Sequence, residues 1–265
     1  MKELRKVPPN KGVEIEYRKK LKKLLQAMSA SVMYWILADY DGKTAVEMAM
    51  AIRKRVKQWD KIFGDEAEKI ALWFVNKVRK HTEVGMAGAF RAVGYKMRKA
   101  TPERVIKAVE IENTELIKSI PEKYFIGVKE VAILAIVYGW SKEKLQIELQ
   151  KRFDIADRRI KNIVSDQSYK TASVIKMELA KNNGIYTARW KYTYLSQEPR
   201  ENHIQMDGKL FDVRVGCIEE GTGELVFPSQ RINCKCSFNP VILEYGDDVS
   251  KEIEKNSYYA NITRF

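Results

Sequence analysis

The spacing of the apolar residues changes at Gly184 and divides the chain into two regimes. Between about residues 12 and 183, apolar side chains recur at steps of three and four, which is the period of a helix with one buried face. After Gly184 come short aromatic and β-branched runs separated by Gly, Pro, Asn and Asp, which is typical of strands joined by turns. The sequence therefore predicts an α+β fold: a mainly helical N-terminal two thirds, followed by a small β-rich C-terminal module.

The change of pattern also suggests a division into segments. With 265 residues and 45% hydrophobic content, the chain is long enough to bury a core and to form one or two domains. We predict a basic α-helical domain at residues 1–183 and a small β-rich module at 184–245. We expect the polar tail at 246–265 to be an extended arm.

Individual helices follow from the apolar stripes and from capping signals. The first stripe ends at residues 39–43, and a second helix runs from Thr44 to about His81, with a potential split at 63–66 where Gly64 precedes Asp65. Residues 86–97 fit either a closely packed helix or a loop. The later helices are expected at 101–119, 121–138 and 141–153, followed by one long helix that ends at the C-cap pair Asn183-Gly184.

Four strands are expected in the second regime, at residues 185–195, 209–215, 223–228 and 232–242. The stretch at 219–224 reads as a turn because it is rich in Gly and acidic residues. We therefore expect the second and third of these strands to form a hairpin.

The overall charge favours polyanionic partners. The formal net charge is +13 and the isoelectric point is near 9.4, which suits contact with nucleic acid or with an acidic protein surface. Well-solvated lysine-rich helices would explain the same charge. The N-terminus lacks the apolar core of a signal peptide, the most apolar run (131–140) is too short to cross a bilayer, and three cysteines do not suit a secreted disulfide framework. We expect synthesis in a reducing cytoplasm and no membrane.

Three basic clusters lie on the predicted helices and are candidates for contact with DNA phosphates or with an acidic surface. No base-reading motif accompanies them, so any DNA binding is expected to be non-specific. A solvated helix face is the alternative interpretation of each cluster. Their residues are Arg18, Lys19, Lys20, Lys22 and Lys23, then Arg53, Lys54 and Arg55, and finally Arg158 and Arg159.

Catalytic motifs are missing from the sequence. There is no phosphate-binding glycine loop and no G-x-S-x-G elbow. A deaminase site needs H-x-E and P-C-x-x-C, but here His203 is followed by Gln205 and the cysteines form C-x-C. We therefore predict a protein that is not an enzyme. The alternative left open is a zinc-dependent nuclease or other enzyme that uses His203 and the cysteines.

A structural zinc site is a second hypothesis for the same residues. All three cysteines follow His203 within 34 residues, and His203, Cys217, Cys234 and Cys236 form a Cys₃His set of the kind that zinc binds in a tetrahedron. C-x-C is tighter than the usual spacing. The alternative is three buried, apolar thiols and a hydrogen-bonded histidine, and we expect no other cofactor.

The stretch around His203 also has a purely structural interpretation. Asp207-Gly208 is a turn pair, because glycine supplies a positive φ and aspartate accepts a backbone N–H. Arg200 is suited to fork onto carbonyl or carboxylate oxygens, and Asn233 is placed to cap a loop before the last strand. Such polar contacts hold a small, loop-rich fold in register when all of them are satisfied.

A longer pattern of rare residues runs through this half of the chain. Its residues are Arg159, Ile163, Asp166, Gln167, Gly184, Ile185, Trp190, Arg200, His203, Met206, Asp207, Gly208, Lys209, Phe211, Pro228, Asn233, Cys234, Lys235 and Cys236. With these residues the chain resembles the phage Mu F-like minor head proteins of the phage head-morphogenesis family, over about residues 155–243. Lys235 stands where arginine is common, and Cys217 lies outside the pattern.

The resemblance implies a minor component of the head of a tailed phage or prophage, made in the host cytoplasm and located near the portal vertex. The partners it implies are the portal protein and capsid proteins, together with packaged double-stranded DNA through non-specific contacts. The role would be in head assembly, DNA packaging or DNA ejection, without catalytic activity. The structural motif would comprise Arg200, His203, Asp207, Gly208, Pro228, Asn233, Cys234 and Cys236.

Overall fold

A computed structural model of the protein describes residues 1–194 and 199–258, and it is 67% helical. The helices occupy the N-terminal two thirds and a small antiparallel sheet follows, which confirms the predicted α+β fold class. The long helices are α1 (Lys11–Asp39), α2 (Ala45–Ala92), α3 (Glu103–Val137) and α4 (Lys142–Asn182), with a 3₁₀ turn at Tyr40–Gly42 after α1.

The strands form one four-stranded and one two-stranded sheet, both antiparallel. The order in the larger sheet is β1-β6-β2-β3, and the smaller sheet pairs β4 with β5. The strands are β1 (Lys2–Glu3), β2 (Thr187–Lys191), β3 (Leu210–Asp212), β4 (Cys217–Ile218), β5 (Leu225–Val226) and β6 (Ser237–Ile242), and two short helices are α5 (Glu201–Gln205) and α6 (Ser250–Ser257).

Residue contacts group the chain into two compact units. Unit 1 holds Met1–Lys11, Val75–Val109 and the described residues from Ser165 onward, and unit 2 holds Gly12–Phe74 and Glu110–Val164. The predicted boundary at 183/184 marks the change from helix to strand. The contacts nevertheless place the last turns of α4 with the sheet, because Met177 shares a core with the strands and the Ser173 hydroxyl donates a hydrogen bond to the Pro228 carbonyl at 2.8 Å.

The potential split of the second helix at 63–66 is absent. Gly64 and Asp65 lie inside α2, which continues through the first half of the ambiguous stretch 86–97. Phe63 and Ala67 are fully buried on either side, so the apolar stripe passes this point without interruption. Small residues near the end of α2 allow close packing within unit 1: a Cβ added at Gly85 would lie 2.5 Å from a methyl carbon of Val7.

The break predicted before Pro121 is also absent, because Pro121 lies inside α3. Ile117, Ile120 and Tyr124 are all buried around it, and this apolar packing offsets the backbone hydrogen bond that proline removes. The expected helix at 141–153 and the long helix after it are one element, α4. Its predicted serine cap is confirmed, since the Lys144 N–H donates to Ser141 Oγ at 3.3 Å.

Three features of the β region differ from the prediction. The turn at 219–224 joins β4 to β5, whereas β3 pairs with β2. The described part of the polar tail, residues 246–258, is not an extended arm, because α6 folds back and the Ser257 hydroxyl accepts a hydrogen bond from the Asp212 N–H at 2.9 Å. The remaining tail residues, 259–265, lie outside the described residues. Strand β1 was not predicted, since two residues are too few to show a periodic pattern.

The core of unit 2 is built from the predicted stripes. Tyr17 stacks on Phe74 with ring centroids 4.1 Å apart, and its hydroxyl donates to Asn113 Oδ1 at 3.3 Å. Burial raises the pKa of the Tyr17 hydroxyl. Val131 and Ala132 of the most apolar run are buried in this unit. Among the described residues, no helix is long and apolar enough to span a membrane.

The end of α4 allows a direct test of the backbone. Gly184 has a φ of +79°, and the Ile185 N–H donates to the Ala180 carbonyl at 2.9 Å, which is the Schellman arrangement. We expect Gly184→Ala to lower the free energy of unfolding by about 1–2 kcal/mol. Gly64→Ala should instead raise it by about 0.5–1 kcal/mol, because Gly64 lies in a helix interior with open space around it. Urea unfolding would measure both, and equal effects of the two changes would contradict this account.

Candidate functional site

The site is built on the aromatic core of the larger sheet in unit 1. Trp190 of β2 is fully buried and meets Phe211 of β3 edge-to-face, with ring centroids 5.9 Å apart. The ring of His203, on α5, also meets Trp190 edge-to-face, and their ring centroids lie 5.5 Å apart. The imidazole is only 2% exposed, so it is held inside the module.

Turn residues fix the position of α5. Arg200 is extended at the start of the helix, and its carbonyl accepts a hydrogen bond from the His203 N–H at 3.0 Å. After the helix, Gly208 adopts a φ of +82° and its N–H donates to the Trp190 carbonyl at 3.0 Å. The Asp207 carboxylate accepts from the Tyr192 N–H at 2.8 Å. The helix is therefore pinned to β2 at its C-terminal end.

A second set of contacts fixes the loop that carries the cysteines. Asn233 has a φ of +61°, and its backbone N–H donates to the Asp166 carboxylate on α4 at 2.7 Å. The Arg200 guanidinium donates to the Ile232 carbonyl at 3.0 Å, which connects α5 to the same loop. Lys235 donates to Ser165 Oγ at 2.6 Å. These contacts bring Cys234 and Cys236 under the His203 ring.

Three of the four predicted metal ligands meet in one buried cluster, which we term the His-Cys-Cys cluster (His203, Cys234 and Cys236). His203 Nδ1 lies 3.4 Å from Cys234 Sγ and 3.5 Å from Cys236 Sγ. The three donor atoms all lie within 4.8 Å of one another. Each of the three residues is at most 3% exposed.

Cys217 is not part of this cluster within the described part of the chain. It lies on β4, fully buried in the apolar core that also holds Val226 and Phe238. Burial raises the pKa of the Cys217 thiol to about 12, so this thiol stays protonated. Its environment is that of a small apolar side chain.

Glu219 occupies the far side of the His203 ring. Its carboxylate lies 3.0 Å from His203 Nε2 and also accepts hydrogen bonds from Arg231 at 2.7 Å and from Thr222 at 3.0 Å. Burial by itself would raise the pKa of Glu219, but the hydrogen bonds from Arg231 and Thr222 outweigh it and leave that pKa lowered. Glu219 is therefore an anion and His203 Nε2 carries the proton of their hydrogen bond.

The two clustered thiols differ in acidity. A hydrogen bond from the Cys236 thiol lowers the pKa of Cys234, although burial acts against it. The pKa of Cys236 is raised, because its proton is held in the hydrogen bond to Cys234 and because the thiol is buried. The pair can thus release one proton readily while it retains the other.

The ten basic candidates all fall in unit 2. Arg18 and Lys22 both approach the Asp157 carboxylate, at 3.4 and 3.6 Å, and Arg159 donates to Ser119 Oγ at 2.8 Å. Lys20 lies over the Trp73 ring at 4.8 Å. The other members are exposed to solvent, namely Lys19, Lys23, Arg53, Lys54, Arg55 and Arg158.

Sequence reasoning missed the residues that support the cluster. Glu219 and Arg231 belong to the polar stretches between short strands, where acidic and basic residues are usually solvated. His203 and Arg231 lie 16 and 12 residues from Glu219 in the chain, so no local spacing reveals these two contacts. The nearest signal is that Glu219 follows the β4 residues Cys217 and Ile218 directly.

Comparison with known proteins gives one match. The family model described as "Phage Mu protein F like protein" matches residues 127–239, which is less than half of the chain. The match confirms the resemblance that the motif indicated, and it includes Trp190, His203, Cys234 and Cys236. It suggests a phage head morphogenesis protein, which is a structural class. Neither a curated protein nor a solved structure matches the chain.

Proposed function

We propose that this chain is a minor head protein of a tailed phage or prophage, associated with the portal vertex and acting in head assembly, DNA packaging or DNA ejection. The match of residues 127–239 to the phage Mu F-like family carries the proposal. The portal protein and capsid proteins are the partners, and the virion head is the location. The protein binds its partners and is not an enzyme.

The burial of the candidate site supports a structural role. His203, Cys234, Cys236 and Glu219 are 2%, 3%, 3% and 4% exposed. A nuclease must bring a phosphodiester within hydrogen-bond reach of its catalytic groups, and burial of this degree leaves no path for a polynucleotide. The zinc-dependent nuclease considered above is therefore the weaker of the two functions.

One exposed face of α2 supports binding to a protein partner. Val46 and Met50 are 68% and 59% exposed, and Arg53 and Lys57 continue the same face one and two turns further on. An apolar pair followed by basic side chains suits a surface that is itself apolar and acidic. We assign portal binding to this face, defined by Val46, Met50, Arg53 and Lys57.

Co-purification with the portal protein encoded in the same genome tests the proposal. The two proteins would be co-expressed and separated by size-exclusion chromatography, where we expect the wild-type chain to elute with the portal. Val46→Ser combined with Met50→Ser should weaken this association at least tenfold. Ile15→Ser combined with Ile126→Ser, which changes two residues that are also exposed in unit 2, should leave it intact. Separate elution of the wild-type chain from both the portal and assembled heads would refute the proposal.

A substitution at His203 separates the head function from the nuclease. We expect His203→Ala to impair head assembly, because it removes a buried hydrogen-bonding group of the module. DNA cleavage by the wild-type and variant proteins should be equally undetectable. Cleavage by the wild type that disappears in His203→Ala would favour the enzyme instead.

Contact with packaged DNA makes a separate prediction about salt. If exposed lysines and arginines neutralise phosphates, the logarithm of the binding constant falls linearly with the logarithm of the salt concentration. Arg53→Ala combined with Lys54→Ala should reduce the magnitude of this slope by about 2, since each lost phosphate contact removes about 1. Fluorescence anisotropy with duplexes of unrelated sequence would measure it.

The matched control removes two positive charges that are already paired. Lys69 and Lys151 form ion pairs with Glu66 and Glu148 at 2.9 and 2.6 Å. Lys69→Ala combined with Lys151→Ala should therefore leave the slope nearly unchanged, although the net charge falls by the same amount. An equal reduction of the salt slope in the two double variants would show that overall charge, and not the pair Arg53 and Lys54, determines DNA binding.

A further inference from the structure

The distances in the His-Cys-Cys cluster match those of a metal site. Zinc binds thiolate sulfur at about 2.3 Å and imidazole nitrogen at about 2.0–2.1 Å. In a tetrahedron these bond lengths separate the nitrogen from each sulfur by about 3.5 Å. His203 Nδ1 lies 3.4 and 3.5 Å from the sulfurs of Cys234 and Cys236. We propose that His203 Nδ1 and the thiolates of Cys234 and Cys236 bind one Zn²⁺ ion.

Glu219 gives His203 the tautomer that such a site requires. Its carboxylate accepts the Nε2 proton at 3.0 Å and is itself fixed by Arg231 and Thr222. With the proton on Nε2, Nδ1 can offer a lone pair to a metal ion beside the two sulfurs. Carboxylate–histidine–metal arrangements of this kind orient the imidazole and raise its basicity as a ligand.

Two buried polar groups near the cysteines also support a metal site. The Trp190 indole N–H and the Tyr192 hydroxyl are buried and form no regular hydrogen bond to any described residue. Trp190 belongs to the same buried cluster as Cys234 and Cys236, and Tyr192 packs against that cluster. Thiolate sulfurs bound to a metal accept N–H and O–H groups from the surrounding protein, so a charged sulfur pair would satisfy donors that two neutral thiols leave without a partner.

The chemistry of the donors selects zinc over hard cations. Two thiolates and one imidazole suit a soft or borderline ion, whereas Mg²⁺ and Ca²⁺ require oxygen ligands. No fourth His, Cys, Asp or Glu joins the group in the described ranges 1–194 and 199–258. Zinc with three protein ligands takes a small donor such as water in its fourth position.

The proposed ion would join parts of the module that are distant in sequence. His203 lies on α5, 31 residues before Cys234, and next to the cysteines the Arg200 guanidinium donates to the Ile232 carbonyl. Metal binding would therefore add to the folding free energy that the apolar core of the module already supplies. This inference differs from the four-ligand hypothesis in leaving Cys217 out and adding Glu219. It does not depend on the proposed head function.

Metal content of the purified full-length chain tests the site. The protein would be purified without chelators and analysed by inductively coupled plasma mass spectrometry, where we expect about one zinc per chain. Cys234→Ser and Cys236→Ser should each lose most of the metal. Cys217→Ser is the matched control, because it removes an equally buried thiol outside the cluster, and it should retain the metal.

Two further measurements keep the test decisive if the cysteine variants fold poorly. Wild-type protein reconstituted with Co²⁺ should show thiolate-to-cobalt charge-transfer absorption in the near ultraviolet. Glu219→Gln should retain the site but bind zinc about 10–100-fold more weakly. Less than about 0.2 zinc per wild-type chain after reconstitution, absence of the cobalt band, or equal metal loss from Cys217→Ser would overturn the proposal.

Discussion

Trp190→Ala is expected to lower the free energy of unfolding by about 3–5 kcal/mol, the range measured for deletion of a large aromatic side chain from a core. The ring is fully buried and lies in edge-to-face contact with both His203 and Phe211. Its loss would leave a cavity between the sheet and α5 that the surrounding side chains can fill only in part. The loss of packing should therefore loosen the position of His203 in the His-Cys-Cys cluster as well as destabilise the core.

Urea unfolding followed by far-ultraviolet circular dichroism would measure this loss without relying on tryptophan fluorescence. Tyr194→Ala is the control, because Tyr194 follows β2 closely and is 82% exposed, and it should change the stability by no more than about 0.5 kcal/mol. A loss below about 1 kcal/mol for Trp190→Ala would show that the module does not depend on this ring.

The second large effect concerns pH and arises at Lys176. This side chain of α4 is 3% exposed, and its ammonium donates to the Phe238 carbonyl at 2.6 Å and to Ser237 Oγ at 2.8 Å. Burial, with a smaller contribution from the positive charge of Lys6, lowers the pKa of Lys176 from 10.5 to about 7. A buried ammonium without a carboxylate among these contacts is costly to the folded state.

The sign of the pH dependence follows from proton uptake. Between about pH 7 and 10.5 the unfolded chain holds a proton on Lys176 that the folded protein has released. The free energy of unfolding therefore rises with pH in this window. The destabilisation by the buried positive charge is fully present only below about pH 7. Relative to Lys176→Met, the wild type should gain roughly 1 kcal/mol per pH unit between pH 7.5 and 10.

Urea unfolding at several pH values would test this difference. Lys251→Met, at an exposed lysine of α6, should follow the wild-type pH profile, because its side chain is solvated in both states. Parallel profiles for the wild type and Lys176→Met would mean that Lys176 keeps the same proton in the folded and unfolded protein.

Much of the helical part was predictable because its signals are local. The stripe that contains Tyr17 and Leu21, the serine cap at Ser141 and the glycine at 184 each act within a few residues. The errors at Gly64 and Pro121 have one cause: both residues are unfavourable in a helix by themselves, and buried neighbours on each side override that preference. Tertiary packing of this kind is not visible in a local pattern.

The members of the His-Cys-Cys cluster were predictable from the sequence, but the residues that support the cluster were not. The rarity of histidine and cysteine singles out His203, Cys234 and Cys236, and the structure brings them together. Cys217 shares that rarity, yet it lies on β4 and does not join this group in the part of the chain that the structure describes. Glu219 and Arg231 come from a class of residues that is abundant in this chain, so only the three-dimensional structure identifies the contact of Glu219 with His203 and that of Arg231 with Glu219.

The position of β1 at the edge of β6 has a consequence for how the protein is made. Residues 2–3 leave the ribosome more than 230 residues before residues 237–242, with which they pair. At about 5–20 residues per second, the nascent N-terminus waits roughly 10–50 s for its neighbour strand. The larger sheet is therefore completed only after residues 237–242 have been synthesised, and a chaperone or an early partner has that interval in which to hold the unpaired edge.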